Sequence, residues 1–560
     1  MSKPPVKVVI CWHMHQPYYQ DQVSKTYQQP WTYLHAIKDY IDMAALIEAN
    51  PRARAVVNFC PTLLEQIDDY RQQVEYFFSR HTMLTDPLLT QLVSPTAPPL
   101  PTEQRELIRK CLRANEKHLI EAYPPFKILA SLARDALASE EKLGYLNDQF
   151  FFDLITWYHL AWLGETVKQS NEVAKRLMTQ GRNFSLQQRT QLLQLMGDLF
   201  SRVIPLYKRL ADQNQVELSV TPYSHPILPL MLDVSSAKEA MPNAPIPEES
   251  YPGGEARADW QLEKAQAVFK HYFGREAWGC WPSEGAISEA TVKLLARHQF
   301  KWAASGGTVL ANSLKKEMDA ACLHHPYRLK KEKLTCFFRD DNLSDMIGFN
   351  YSNWHSDDAV NNLMHHVGNI ANACKHDPDT VISIILDGEN CWEHYPYNGY
   401  YFLTRLYKEF SENPDVELTT FSECLEHKVK PRSLKHLVAG SWVHGTFSTW
   451  IGDTARNHSW RLLVEAKKAY DQAILEKRIP DHLQDQVDQQ LAICEASDWN
   501  WWFGDYNSAE SVSQFDQLYR RHLCNLYQLL GMGMPPELEK IITVGKGDPA
   551  ISGTMRRATE

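Results

Sequence analysis

The run Val381-Ile-Ser-Ile-Ile-Leu386 is short, almost wholly apolar and rich in β-branched side chains, and it ends abruptly in Asp387-Gly388-Glu389. A strand buried on both faces reads this way. Beyond it, Tyr400, Tyr401, Leu403, Leu406, Tyr407 and Phe410 recur with the spacing of one helix face. Strand, acidic loop and helix make one βα unit. In barrels built from such units the chemistry sits at the C-terminal ends of the strands, and Asp387 stands at that point. Gly388 would let the backbone turn sharply behind it. The competing reading is that Asp387 only caps a turn or the next helix.

The same pattern recurs along the chain. Val6–Trp12 reads as a strand running into His13-Met-His15-Gln16-Pro17, and Ala55–Phe59 as a second. Val216–Thr221 leads to Pro222-Tyr-Ser-His225. Trp278–Trp281 leads to Pro282-Ser-Glu284-Gly285, with a helix expected from about Ser288. Phe300–Ser305, Cys336–Arg339 and Val416–Phe421 complete the set. Strands alternating with helical stretches predict a parallel sheet or barrel. Prolines crowd 84–104, and residues 102–214 show mainly helical periodicity, which predicts a helical insertion. Past about Pro431 the strand signal stops, and long helical patterns such as 459–475 and 511–530 surround the aromatic run Trp499-Asn-Trp501-Trp502-Phe503. The expected organisation is a barrel domain over 1–430 carrying the insertion, followed by a mainly helical domain over 431–560.

Composition excludes several classes. With 58 basic and 68 acidic residues the net charge is −10, which argues against a nucleic-acid partner. The 11 cysteines are scattered without CxxC pairs, as in a reducing compartment. No apolar run is long enough to span a membrane, and Met1-Ser-Lys-Pro-Pro is not the start of a signal peptide. These features predict a cytoplasmic location. They leave the oligomeric state open.

Two carboxylates at separate strand ends of one barrel suit glycosidic bond cleavage: one attacks the anomeric carbon or activates water, and the other protonates the leaving oxygen. Glu284 and Asp387, each followed by glycine, fit those roles. Taken singly, Glu284 reads equally as an acid favoured by a helix N-terminus. His13 and His15 share one side of an extended strand. They serve as structural polar groups, as ligands for sugar hydroxyls or as metal ligands.

His15-Gln16-Pro17, Gly279-Cys-Trp-Pro-Ser-Glu284-Gly-Ala-Ile-Ser288 and Leu386-Asp387-Gly388-Glu389-Asn390 together resemble glycoside hydrolase family 57. Thr221–Leu230, Phe338–Asp340 with Leu343–Phe349, and Glu495–Trp499 with Trp501-Trp502 are similar to further blocks of that family, in its order. The resemblance implies an incomplete (β/α)7 barrel of the α/β class with a C-terminal helical domain against the cleft. It implies a retaining enzyme acting on α-glucans or maltooligosaccharides, closest to the α-amylase and amylopullulanase branch, with transglycosylation at the same site. By motif match Glu284 is the nucleophile and Asp387 the acid/base. His13, His15, His225 and Asp340 bind substrate, and Trp281, Trp392 and Trp499 offer stacking platforms. Ser305-Gly306-Gly307 departs from the acidic pair expected there, which leaves α-1,4 against α-1,6 preference open.

Two other readings compete. A metal-dependent barrel hydrolase of the deacetylase or α-mannosidase type would use His13 and His15, with His225, Asp340 and Asp387 as further ligands. A glucan-binding protein without turnover would keep the acids only by descent. The paired acids favour hydrolysis without a metal or other cofactor.

Overall fold

The computed structural model describes residues 4–547 except 316, 317, 376 and 390, so Asn390 of the acidic motif lies outside the described residues. The described residues form ten strands: β1 Val6–Met14, β2 Ala55–Phe59, β3 Val216–Val220, β4 Gly279–Cys280, β5 Trp302–Gly306, β6 Tyr327–Leu329, β7 Thr335–Arg339, β8 Val381–Asp387, β9 Val416–Thr419 and β10 Arg432–Leu434. Seven of them close a parallel ring in the order β1-β2-β3-β4-β5-β7-β8, with β8 returning to β1. The seven-stranded barrel that the family resemblance implies is therefore present, and its ring is closed by hydrogen bonds.

Val416–Phe421, expected as the last strand of this domain, forms a strand only over Val416–Thr419 and is not in the ring. It pairs in parallel with Val6–Val9, the N-terminal half of β1. Behind it the helix Phe421–Glu426 sends Phe421 and Cys424 into the barrel, where Phe421 packs 4.5 Å from both Trp302 and Phe337. This helix stoppers the end of the barrel opposite the strand C-termini. Strands β6 and β10 carry too few residues to show a period; β6 pairs with β7 outside the ring, and β10 pairs with β6.

Alternation along the strands sorts side chains into two cores. Val9, Cys11, Val56, Trp302, Ala304, Phe337, Val381 and Ile385 fill the barrel. Val8, Ile10, Trp12, Ile382 and Ile384 face outward and pack under the surrounding helices. Continuing the inward set brings His13 after Cys11 and Asp387 after Ile385, and these two are register partners on adjacent strands. The period of two thus carries polar groups into the top layer of the interior, where the strands open.

Between β2 and β3 the chain is helical, from Pro61–Arg80 through Pro101–Cys111 and Asp148–Trp162 to the long Leu186–Asp212. Ser185 starts that last helix with a reciprocal capping box to Gln188. Beyond Leu434 the described elements are helical, chiefly Thr454–Leu475, Gln484–Cys494, Asp498–Trp502 and Ala509–Leu529. No helix among the described residues is long and apolar enough to cross a membrane.

Candidate active site

Glu284 follows β4 in a tight turn and has φ 57° and ψ 24°, the left-handed region that β-carbons disfavour. Gly285 continues the same twist at φ 58°. Holding a glutamate there costs on the order of 1–2 kcal/mol. The turn is pinned from both sides: Ser305 Oγ donates to the Gly285 carbonyl at 2.6 Å, and the Trp442 backbone N–H donates to that of Glu284 at 3.1 Å. The Trp442 indole N–H also reaches the carboxyl, donating to Glu284 Oε2 at 2.8 Å. Burial pushes the Glu284 carboxyl up to about 8, the negative charge of Asp387 adds to this, and the Trp442 bond pulls the other way. The two acids are close enough to feel each other's charge.

Asp387 ends β8 beside His13. Gly388 does not take the left-handed conformation. It is small because a β-carbon there would lie 2.1 Å from Met14 Sδ, and its N–H donates to the His13 carbonyl at 2.8 Å. The expected sharp turn is thus a close approach between two strand ends. Glu389 lies just beyond, 1% exposed, and its Oε1 accepts from the His15 backbone N–H, Gln16 Nε2 and the Tyr40 hydroxyl at 3.0–3.2 Å. Burial first, and then the charge on Asp387, hold its carboxyl well above the usual range.

Three histidines form one layer over these acids. His13 Nδ1 lies 2.7 Å from Asn58 Oδ1, and its Nε2 lies 3.2 Å from His225 Nε2. His225 Nδ1 is 2.8 Å from Ser497 Oγ. A chain of neutral imidazoles satisfies this set: His13 donates to Asn58, His225 donates to His13 and Ser497 donates to His225. Burial, and then the neighbouring imidazolium of His15, lower both rings, His13 to about 3 and His225 well below its usual value. His15 behaves oppositely. Burial would lower it, but the Asp498 carboxylate 2.7 Å from Nε2 more than offsets this and holds the ring protonated. The layer is one cation and two neutral rings, stacked at 3.8 Å between His15 and His225.

The structure thus brings together Glu284, Asp387, His13, His15 and His225. Trp281 lies behind them, its ring 6.4 Å from His13 and 5.2 Å from Trp442, and with no exposed surface it belongs to the barrel core and is not the stacking platform expected. Three other expectations are corrected. Trp392 is fully buried under Trp12 and Phe402 and donates to the Gly388 carbonyl, so it is core. Trp499 is 1% exposed, stacks on Tyr519 and donates to the Ile493 carbonyl, so it joins helices rather than facing a sugar. Asp340 is occupied by His324 at 2.8 Å and by capping Leu343 N, the duties of a structural acid.

Sequence reasoning missed Asn58, Trp442 and the role of Asp498. Asn58 is an inward polar residue at the end of β2, a signal that period-two reading could have caught. Asp498 lies beside Trp499 in the block Glu495–Trp499, where nothing local pairs it with His15. Trp442 lies in a strandless loop and carries no local signal.

His15, His225 and Asp498 place three donor atoms within 4.8 Å of one another. Their geometry suits hydrogen bonding better than a cation. The two rings are stacked with planes 16° apart, so their in-plane lone pairs run side by side rather than converging.

A model of Glycosyl hydrolase family 57 matches residues 9–438. Among solved structures, the chain is similar to a branching enzyme of that family from Thermococcus kodakaraensis, with a TM-score of 0.60 and 15% identity over 94% of this chain and 90% of that one. It is similar to the α-amylase AmyC from Thermotoga maritima, with a TM-score of 0.58 and 14% identity over 95% of each chain. A 4-α-glucanotransferase from Thermococcus litoralis gives a TM-score of 0.51 and 13% identity over 94% of this chain and 60% of that one. At these identities the likeness to the three structures is one of fold.

Proposed function

The chain belongs to glycosyl hydrolase family 57, and from that premise we propose that it is a retaining hydrolase or transferase of α-glucans in which Glu284 is the nucleophile and Asp387 the acid/base. The observation that carries this reading is the electrically coupled pair of carboxyls at the ends of β4 and β8, one of them bonded to an indole N–H. Burial, and then the charge of Asp387, raise the Glu284 carboxyl so that it holds a proton near neutral pH. A retaining glycosidase needs one proton between its two acids. In the free protein the proton rests on Glu284, and it passes to Asp387 when the sugar arrives. The Trp442 N–H and the charge of His15 both favour Glu284 as the anion.

Glu284 then attacks the anomeric carbon as the glycosidic C–O bond breaks, and the leaving oxygen takes the proton from Asp387. In the second half Asp387 withdraws a proton from water or from a sugar hydroxyl, whose oxygen attacks the same carbon and displaces Glu284. Water gives hydrolysis and a sugar gives transglycosylation. His13, His15 and His225 present donors and acceptors to the hydroxyls of the sugar held between the acids. Trp442, Ser497 and Asp498, all from the part of the chain beyond the ring strands, complete the site. Within the family, the amylase and amylopullulanase activities on α-1,4 and α-1,6 bonds fit the Trp-Pro-Ser-Glu and Asp-Gly-Glu forms. A cytoplasmic location fits the scattered free thiols.

The test is incubation with amylose, glycogen and pullulan, following products over time and their anomeric configuration by proton NMR. Retained configuration in released or transferred α-glucans is the expected result. Inverted products, or no turnover of any α-glucan, would overturn the reading. A metal-dependent hydrolase is the second reading, favoured only by the three donors around His15.

A further inference from the structure

The loop that leads out of the acid/base strand carries a feature the chemistry does not use. Tyr397 and Asn398 are consecutive non-glycine residues in the left-handed region, at φ 52° and 54°. Such a pair is strained, and strain persists only where the surroundings over-determine it. Here they do. Asn398 accepts from Lys38 Nζ at 2.8 Å and donates to Asp42 Oδ2 at 3.0 Å. Tyr395 donates its hydroxyl to the Ile347 carbonyl at 2.6 Å.

The strained turn directs Tyr397 outward, with 59% of the residue exposed. Its ring stands edge-on to Tyr401, 5.4 Å away and itself 52% exposed. On the neighbouring helix entry Trp354 is 46% exposed, and it connects to the same unit through Tyr351, which touches both Trp354 and Phe402. Arg405 and Asp357, 3.5 Å apart, add a charged pair between the helices Ser356–Ala373 and Tyr400–Glu412. Trp354 lies just before Ser356–Ala373, the helix that leads back into β8, and Tyr397 and Tyr401 lie where Tyr400–Glu412, the helix that follows β8, begins. In a parallel barrel those helix starts lie at the face where the strands end, so these rings stand on the same rim as Asp387.

We propose that Tyr397, Tyr401 and Trp354 form a glucan-holding platform outside the cleft, which takes the part of a long α-glucan that extends beyond the reacting bond. Flat rings with polar edges suit the apolar face of a pyranose while leaving its hydroxyls in water, and Arg405 with Asp357 supplies donors and acceptors for those hydroxyls. A polymer entering beside Asp387 passes over this rim, which argues for the substrate chain itself rather than an unrelated partner. The platform rests on the α-glucan reading and extends it from the bond cleaved to the length of chain recognised.

The experiment uses the full chain carrying Glu284→Gln to prevent turnover, with Tyr397→Gly, Tyr401→Ala and Trp354→Ala added. Tyr397→Gly removes the ring and relieves the left-handed strain together, so its melting temperature should be no lower than the parent's. Dissociation constants for amylose and maltotriose are measured by calorimetry. Amylose affinity should fall about tenfold when two rings are lost, the scale of two aromatic contacts, while maltotriose affinity changes less than twofold. Trp278→Ala is the control, since Trp278 is 51% exposed but precedes β4 on the opposite face, and it should change neither. Unchanged amylose affinity in the ring variants, with α-glucans still turned over by the wild type, overturns the platform alone. A wild type that neither binds nor cleaves any α-glucan overturns the proposed function and the platform with it. A dimer seen by sedimentation that dissociates in the ring variants without loss of amylose affinity would instead make this face a contact between copies.

Discussion

Replacing Glu284 by glutamine should abolish turnover and yet stabilise the fold, by an amount that grows with pH. The carboxyl is pushed from 4.5 to about 8 in the folded chain, chiefly by burial and next by Asp387. The sign follows from linkage. Below about pH 4.5 the group is protonated in both states and costs nothing. Between there and about pH 8 the unfolded chain gives up its proton while the folded chain keeps it, so folding loses stability as pH rises. Above about 8 the penalty is complete. At about 1.4 kcal/mol per unit the whole shift would be worth up to about 5 kcal/mol. The side chain is half-buried at the mouth of the barrel, and solvent screening reduces this to about 2 kcal/mol. Glutamine keeps an acceptor for the Trp442 N–H and carries no charge. For a chain of this length the gain corresponds to roughly 2 °C in melting temperature. Differential scanning calorimetry of both proteins at pH 4.5, 6.5 and 8.5 measures it. The gap should be near zero at the lowest pH and widest at the highest. A gap that is constant across the range, or a wild type that gains on the variant as pH rises, would refute the assignment of a raised carboxyl at Glu284.

Four other outcomes follow from the same geometry. Asp387→Asn should reduce turnover by about a hundredfold or more, because the leaving oxygen loses its proton donor; steady-state rates on amylose check this. Wild-type activity should fall as pH rises through about 8, where Glu284 loses its proton, and Trp442→Phe should move that limb upward by about one unit, since a bond to a carboxylate of about 1.5 kcal/mol is lost; a limb that stays put would remove Trp442 from any part in tuning the nucleophile. Trp499→Ala should cost about 3–5 kcal/mol of stability, as for any fully buried tryptophan, with amylose affinity per folded molecule unchanged; denaturant titration and calorimetry separate the two. Prolonged dialysis against a chelator should leave the rate unchanged, and activity lost there and restored by zinc would favour the metal-dependent reading of His15, His225 and Asp498.

Much of this protein was already written in local sequence. The apolar runs ending in polar residues located each strand of the ring, because a strand buried on both faces has few alternatives in composition. The period of two then put His13 and Asp387 into the interior, and the block around Glu284 placed that acid after a strand. Other features depended on contacts between distant segments. Val416–Thr419 reads like its neighbours but lies outside the ring, since only pairing partners distinguish a barrel strand from one added beside it. Trp392 and Trp499 are as aromatic as any sugar platform, and only packing shows that their faces are already covered. The charge states of the three histidines depend on Asp498, nearly five hundred residues from His15 along the chain. Proton affinities respond to burial and to charges a few ångströms away, whatever their separation in sequence. Local pattern therefore determined which residues could reach the mouth of the barrel. The tertiary structure decided which of them meet, and in what state of ionisation.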